Sequence, residues 1–78
     1  MPLTPRQVRI LRYLGDRHAA VTVRATARAL QMNRDDAKNA LRQLAGKGLV
    51  SADHGTFPVS WSVTDIGSAV LAAAAREP

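Results

Sequence analysis

Asn33-Arg34-Asp35-Asp36-Ala37-Lys38-Asn39-Ala40-Leu41-Arg42-Gln43-Leu44-Ala45-Gly46-Lys47-Gly48-Leu49-Val50 is the stretch on which the reading of this chain turns. Ala37, Ala40, Leu41 and Leu44 recur at three- and four-residue spacing, which puts them on one stripe of a helix. The other positions, Arg34, Asp35, Lys38, Asn39, Arg42 and Gln43, form a face rich in hydrogen-bonding groups rather than merely charged. Asn33 with Asp36 three residues on is a helix-start signal, and Gly46-Lys47-Gly48 is a stop. The spacing predicts a helix from Arg34 to about Gly46, packed through alanine and leucine and presenting Arg, Lys, Asn and Gln outward.

Upstream, Gln31-Met32 reads as a tight turn whose Met32 side chain plugs the core. Val23 to Leu30 is a short helix with Ala25, Ala27, Ala29 and Leu30 small enough for close packing, capped by Thr22. Val21-Thr22-Val23 is too short for a strand unless it pairs at a sheet edge. At the start, Thr4-Pro5-Arg6-Gln7 combines an N-cap, a first-turn proline and a capping-box partner, with Leu3 and Val8 as the hydrophobic staple. Val8, Ile10, Leu11 and Leu14 then define an amphipathic first helix that Gly15 is expected to stop.

Downstream, Leu49 to Ala52 begins a strand, and Asp53-His54-Gly55-Thr56-Phe57-Pro58 is a turn-rich tip. Val59, Trp61 and Val63 alternate with Ser60 and Ser62 on the returning strand, so the pair reads as one hairpin. Thr64-Asp65 caps a last helix with Ile66, Val70 and Ala73 or Ala74 expected on its buried face.

The chain has 78 residues, enough for one core and a single domain over residues 1–78. No cysteine is present, which removes disulfides and thiolate metal sites. No apolar run approaches the roughly 18 residues of a membrane span, and Met1-Pro2-Leu3-Thr4 lacks a signal-peptide layout, so the expected location is cytoplasmic. The net charge is +5, carried mostly by arginine. A polyanion is the favoured partner, because the planar guanidinium fork can donate two hydrogen bonds to a phosphate at once.

The order helix, short extended piece, helix, helix, hairpin, helix is similar to that of a winged helix-turn-helix domain. Three segments carry the resemblance. Val23-Arg24-Ala25-Thr26-Ala27-Arg28-Ala29-Leu30 with Met32 resembles the second helix of such regulators. Leu41-Arg42-Gln43-Leu44-Ala45-Gly46-Lys47-Gly48-Leu49-Val50 resembles their exit from the recognition helix, and Val63-Thr64-Asp65-Ile66-Gly67 their step from wing into last helix. The likeness is nearest to the DNA-binding part of MarR-type bacterial transcriptional regulators.

It implies an α+β fold with a three-helix core, a β-hairpin wing and a C-terminal helix. It also implies sequence-specific binding of double-stranded DNA by a small bacterial, plasmid or phage regulator, with helix 34–46 in the major groove. By position in the resembling motif, Arg34, Asp35, Lys38 and Asn39 face bases, with Arg42 and Gln43 further along. The favoured pairings are Asn39 with adenine and Arg34 or Arg42 with guanine. Phosphate contacts are expected from Thr22, Arg24 and Arg28 at the second helix, with Arg6 or Lys47 in addition.

The chain also departs from its apparent relatives. The wing tip from Asp53 to Pro58 has no Lys or Arg, so His54, Thr56 or a backbone amide must replace the usual minor-groove arginine. Thr26 stands where a leucine is usual, which implies a looser second helix. Asp36 and Lys38 replace small hydroxyl residues, so no target sequence carries over. The dimer-building helices of full-length MarR-type proteins have no room within these residues.

Little points to chemistry. His18 and His54 lack metal-ligand spacing, and adjacent Asp35 and Asp36 diverge around a helix, so neither pair suits a metal or acid–base work. Neither a nucleophile elbow nor a phosphate-cradling or dinucleotide glycine loop is present, so no enzyme, cofactor or small-molecule ligand is indicated. Trp61, in an alternating strand, reads as core rather than as a base-stacking platform. Ala69 and Ala72 to Ala75 offer a small uncharged surface that fits either a homodimer contact through the C-terminal helix or a plain helix end on the domain's own core. The competing functional reading is a winged-helix protein–protein module in which DNA plays no part. A continuous positive band through Arg24, Arg28, Lys38 and Arg42 favours DNA, and scattered charge beside an apolar patch favours a protein.

Overall fold

The computed structural model describes residues 3–17, 19–55 and 57–76. Along the chain these form α1 (Pro5–Arg17), β1 (Val21–Thr22), α2 (Val23–Ala29), α3 (Arg34–Gly46), β2 (Val50–Asp53), β3 (Ser60–Val63) and α4 (Asp65–Arg76). This is the expected α+β arrangement. The antiparallel sheet has the order β1-β3-β2, so the two-residue β1 exists because β3 offers it an edge: Val21 lies opposite Trp61, and Thr22 opposite Ser60. None of the described helices is long and apolar enough to cross a membrane.

Local chemistry sets the helix ends. In the capping box of α1 the Thr4 amide donates to Gln7 Oε1 at 3.0 Å and the Gln7 amide to Thr4 Oγ1 at 3.2 Å. At α2, Thr22 Oγ1 accepts from the Ala25 amide at 3.1 Å. At α3, Asn33 Oδ1 accepts from the Asp35 amide at 2.8 Å. Each such cap contributes about 1 kcal/mol. Asp36 does not complete a box with Asn33; its carboxylate instead faces the Arg6 guanidinium across 4.0 Å.

The α2–α3 turn places Gln31 at φ 53°, a left-handed conformation, and the Met32 amide reaches back to the Ala27 carbonyl at 2.9 Å. This delivers Met32 to the core, as expected. The exit of α3 follows the same logic. Gly48, at φ 77°, lets its own amide bond the Ala45 carbonyl and the Leu49 amide bond the Leu44 carbonyl, both at 3.0 Å, which closes a Schellman motif over the buried Leu44 and Leu49.

That exit is clasped by the start of α4. Thr64 Oγ1 donates to the Gly48 carbonyl at 2.6 Å and accepts from the Gly67 amide at 3.1 Å, while the Thr64 amide donates to the Leu49 carbonyl at 3.0 Å. Gly67 is buried against that same carbonyl, and a Cβ there would run into its oxygen. Around the clasp, Ile10, Leu11 and Leu14 of α1 meet Leu41 and Leu44 of α3 and Trp61 of β3 in one core. Each fully buried leucine contributes about 1.5–3 kcal/mol.

Two further expectations need correction. Gly15 does not stop α1, which continues to Arg17; it lies inside the helix, where a Cβ would stand 2.6 Å from Leu71 of α4. The buried face of α4 is shifted by one position: Gly67, Val70 and Leu71 turn inward, whereas Ile66 is 60% exposed and Ala73 and Ala74 face solvent. The clasp sets this rotation, because only glycine fits against the Leu49 carbonyl. Thr26, in place of the usual leucine, is fully buried, and its hydroxyl donates to the Thr22 carbonyl at 2.9 Å.

Two of the helical glycines, Gly46 and Gly67, give a test of sign. Alanine normally stabilises a helix by about 1 kcal/mol over glycine. Gly46→Ala, with open space around the new methyl, is expected to be neutral or stabilising. Gly67→Ala is expected to destabilise by about 1–3 kcal/mol through overpacking, seen as a lower midpoint in chemical denaturation.

Candidate nucleic-acid interface

With Ala37, Ala40, Leu41 and Leu44 turned into the core, α3 has its opposite face free, and Arg34, Asp35, Lys38, Asn39, Arg42 and Gln43 are all exposed. The tertiary structure divides this face between two grooves. One is a cleft between α3, the start of α2 and the β2–β3 hairpin. It is lined by Thr22 and Arg24, by Arg34, Asp35, Lys38 and Arg42, and by His54, Phe57, Pro58, Val59 and Trp61. The other lies between α3 and α1, where Asn39 and Gln43 sit beside Thr4, Arg6, Gln7 and Asp36.

The grooves differ in electrostatics. In the α1 groove Arg6 faces Asp36, and Gln7 Nε2 donates to Gln43 Oε1 at 2.6 Å. These four side chains are thus engaged with one another, and Asn39 stands beside them. In the cleft, Arg24, Arg34, Lys38 and Arg42 stand against one carboxylate, Asp35, and none of the four forms an ion pair among the described residues. Arg28 extends the positive band along α2, beside Arg24 and Thr22. Four cations beside a single carboxylate leave a net positive cleft, and an incoming polyanion relieves their mutual repulsion.

The expected site residues therefore separate. Arg34, Asp35, Lys38 and Arg42 meet Thr22, Arg24 and His54 in one cleft. Asn39 lies on the outward face of α3 toward α1, and Gln43 is committed to Gln7. Arg6 is drawn to Asp36, Lys47 caps α3 away from the cleft, and Thr56 and His18 lie outside the described residues. Thr22 Oγ1 accepts from the Ala25 amide, and Arg24 and Arg28 are the cationic groups of α2. Two arginines of α1 serve elsewhere: Arg9 donates to the Leu30 carbonyl at 3.2 Å, and Arg17 lies over the Tyr13 ring.

Sequence reasoning did not single out Phe57, Pro58 and Val59 as lining the site. The signal was an aromatic residue inside a glycine- and proline-rich tip. Trp61 is core, as expected, at 7% exposure, and it also forms part of the cleft. Its Nε1 is a buried side-chain nitrogen without a hydrogen-bond partner among the described residues.

Comparison with solved structures places this architecture. A MarR family protein from Bacillus stearothermophilus superposes with a TM-score of 0.82 at 18% identity, over 94% of this chain and 51% of that one. The chain has the winged helix-turn-helix fold of the MarR-type regulators. A mutant of S. aureus MepR matches this winged-helix chain with a TM-score of 0.82 and 27% identity, over 91% of it and 54% of the MepR chain. Lactococcus lactis ZitR, solved in complex with DNA, matches with a TM-score of 0.78 and 25% identity, over 92% and 50%. The winged-helix chain thus spans about half the length of these structures. Its sequence matches no protein-family model and no curated protein.

The Gln7–Gln43 bond ties α3 to α1 and can be tested directly. Gln43→Ala is expected to cost about 0.5–1.5 kcal/mol of stability. Gln7→Ala, which also removes the α1 capping partner, is expected to cost about 1–2 kcal/mol in the same denaturant titration.

Proposed function

We propose that this chain binds double-stranded DNA sequence-specifically, with α3 in the major groove, as the DNA-reading unit of a transcription regulator. One observation carries the reading: Arg24, Arg34, Lys38 and Arg42, from two helices, line one cleft with the single carboxylate Asp35, and none of the four is ion-paired among the described residues. A major groove about 12 Å wide admits a helix, and arginine and asparagine suit guanine and adenine edges there. In this reading Arg34, Lys38, Asn39 and Arg42 read bases, with Asp35 able to accept from cytosine. Arg24 and Arg28 hold phosphates, with Thr22 beside them and Lys47 at the far end of α3. Gln43 supports α3 from α1. The solved ZitR–DNA complex supports the same reading by analogy of fold.

The role is one of binding rather than catalysis, and DNA as partner implies a cytoplasmic location. Two copies joined through the exposed Ile66, Ala69 and Ala73 face of α4 would read a palindrome with half-sites about 34 Å apart. The second reading, a protein-docking module, draws on the uncharged wing. The positive band through Arg24, Arg28, Lys38 and Arg42 favours DNA over it.

Two measurements test the proposal. Affinity for duplex DNA is expected to fall steeply between about 50 and 200 mM salt, as counterion release at several phosphates requires; a salt-insensitive interaction contradicts it. Arg42→Ala and Asn39→Ala are each expected to cost about 1–3 kcal/mol on a site selected from random duplexes and little on unselected DNA. Arg24→Ala and Arg28→Ala are expected to weaken both equally and to flatten the salt dependence. Equal losses on both DNAs for Arg42→Ala would refute base reading there.

A further inference from the structure

We propose that Phe57, at the tip of the wing, is a minor-groove wedge whose ring enters between two base pairs flanking the site read by α3. This rests on the DNA-binding reading and adds a residue, a groove and a sequence preference to it. Phe57 is 100% exposed, an unusual position for a phenylalanine in a chain with three aromatic residues. The other large apolar side chain exposed among the described residues, Ile66, lies on α4, outside the cleft.

The geometry of the cleft points the ring at DNA. When a helix occupies the major groove, the sugar-phosphate ridge bordering that groove lies beside it, and the minor groove lies beyond the ridge. The cleft between α3 and the wing is the space available for the ridge, and Arg24, where α2 borders it, suits a phosphate. Phe57 stands on the wing side of that cleft, where the far side of the ridge gives way to the minor groove.

Charge cannot carry a wing contact there, because residues 53–58 contain no Lys or Arg. An apolar ring can. Phenylalanine is among the side chains that act as wedges, partly unstacking a base step and bending the duplex. A wedge also needs support: β2 and β3 pair up to Asp53 opposite Ser60, Asp53 Oδ1 holds the Gly55 amide at 2.9 Å, and Pro58 restricts the backbone of Phe57. Unstacking is easiest at pyrimidine–purine steps, so the wedge selects a TA or CA/TG step next to the bases read by α3.

The probe is a duplex recovered by the wild-type protein from a random-sequence pool, with aminopurine placed in turn at each step flanking the α3 site. Binding is expected to raise aminopurine emission at one pyrimidine–purine step. Phe57→Ala is expected to abolish that rise, to weaken binding about tenfold and to erase the preference at that step, with an unchanged thermal midpoint because the residue is fully exposed. Phe57→Leu, which keeps an apolar wedge, is expected to recover most of the affinity. Wild-type binding with no rise at any flanking step, or Phe57→Ala binding as well as wild type, overturns the wedge and leaves the DNA reading standing. A Phe57→Ala variant whose only change is in self-association without DNA assigns the ring to a protein contact and also overturns it. A wild-type protein that binds no duplex overturns both readings.

Discussion

The Gly48 carbonyl, the Thr64 hydroxyl and the Gly67 amide form a short chain of hydrogen bonds on which the geometry of the site depends. Gly48 and Leu49 are where the chain leaves α3, and Thr64 to Gly67 is where it leaves the hairpin and enters α4. The bonds fix the two ends of the hairpin to each other, and through them the direction of the wing relative to α3. The buried Gly67 permits the close approach, since any side chain there would separate α4 from the Leu49 carbonyl. The cleft is a by-product of that closure: its one wall is α3, its other wall is the hairpin that the clasp anchors.

Charge is distributed around α3 with a clear division of labour. On the α1 side the polar residues answer one another, Arg6 with Asp36 and Gln7 with Gln43, and the helix is held in place. Surface ion pairs of this kind contribute little stability, so their main effect here is to take these groups out of play. On the cleft side four cations share one carboxylate, Asp35, and none of them forms an ion pair among the described residues. A helix braced on one flank and uncompensated on the other suits binding, because the bracing limits the side-chain and backbone ordering that association would otherwise require.

Much of the fold could be read from the residues. The caps at Thr4, Thr22 and Asn33 are local hydrogen bonds between neighbours in sequence, and the Ala37-Ala40-Leu41-Leu44 stripe follows from helical periodicity; both needed no tertiary information. The hairpin, the marginal β1 and the Gly46-Lys47-Gly48 exit were legible for the same reason. Gly15 and the buried face of α4 are not legible in sequence, because each depends on contact between α1 and α4 or between α4 and Leu49. A glycine that stops a helix and a glycine that admits a neighbour look alike in sequence. Asp36 reads as a cap in sequence, but in space its carboxylate faces the Arg6 guanidinium.

The sequence by itself determined which residues could form a cationic, amide-rich helix face and where that helix begins and ends, because capping, glycine conformation and periodicity act within a few residues. Only the tertiary structure decided how that face is shared: Gln43 engaged with α1, Arg34, Lys38 and Arg42 gathered with Arg24 opposite the wing, and Phe57 left bare at its tip. The reason is that side chains from four separate elements meet there, and their meeting is set by how the helices and hairpin pack, a non-local quantity that no short stretch of residues encodes.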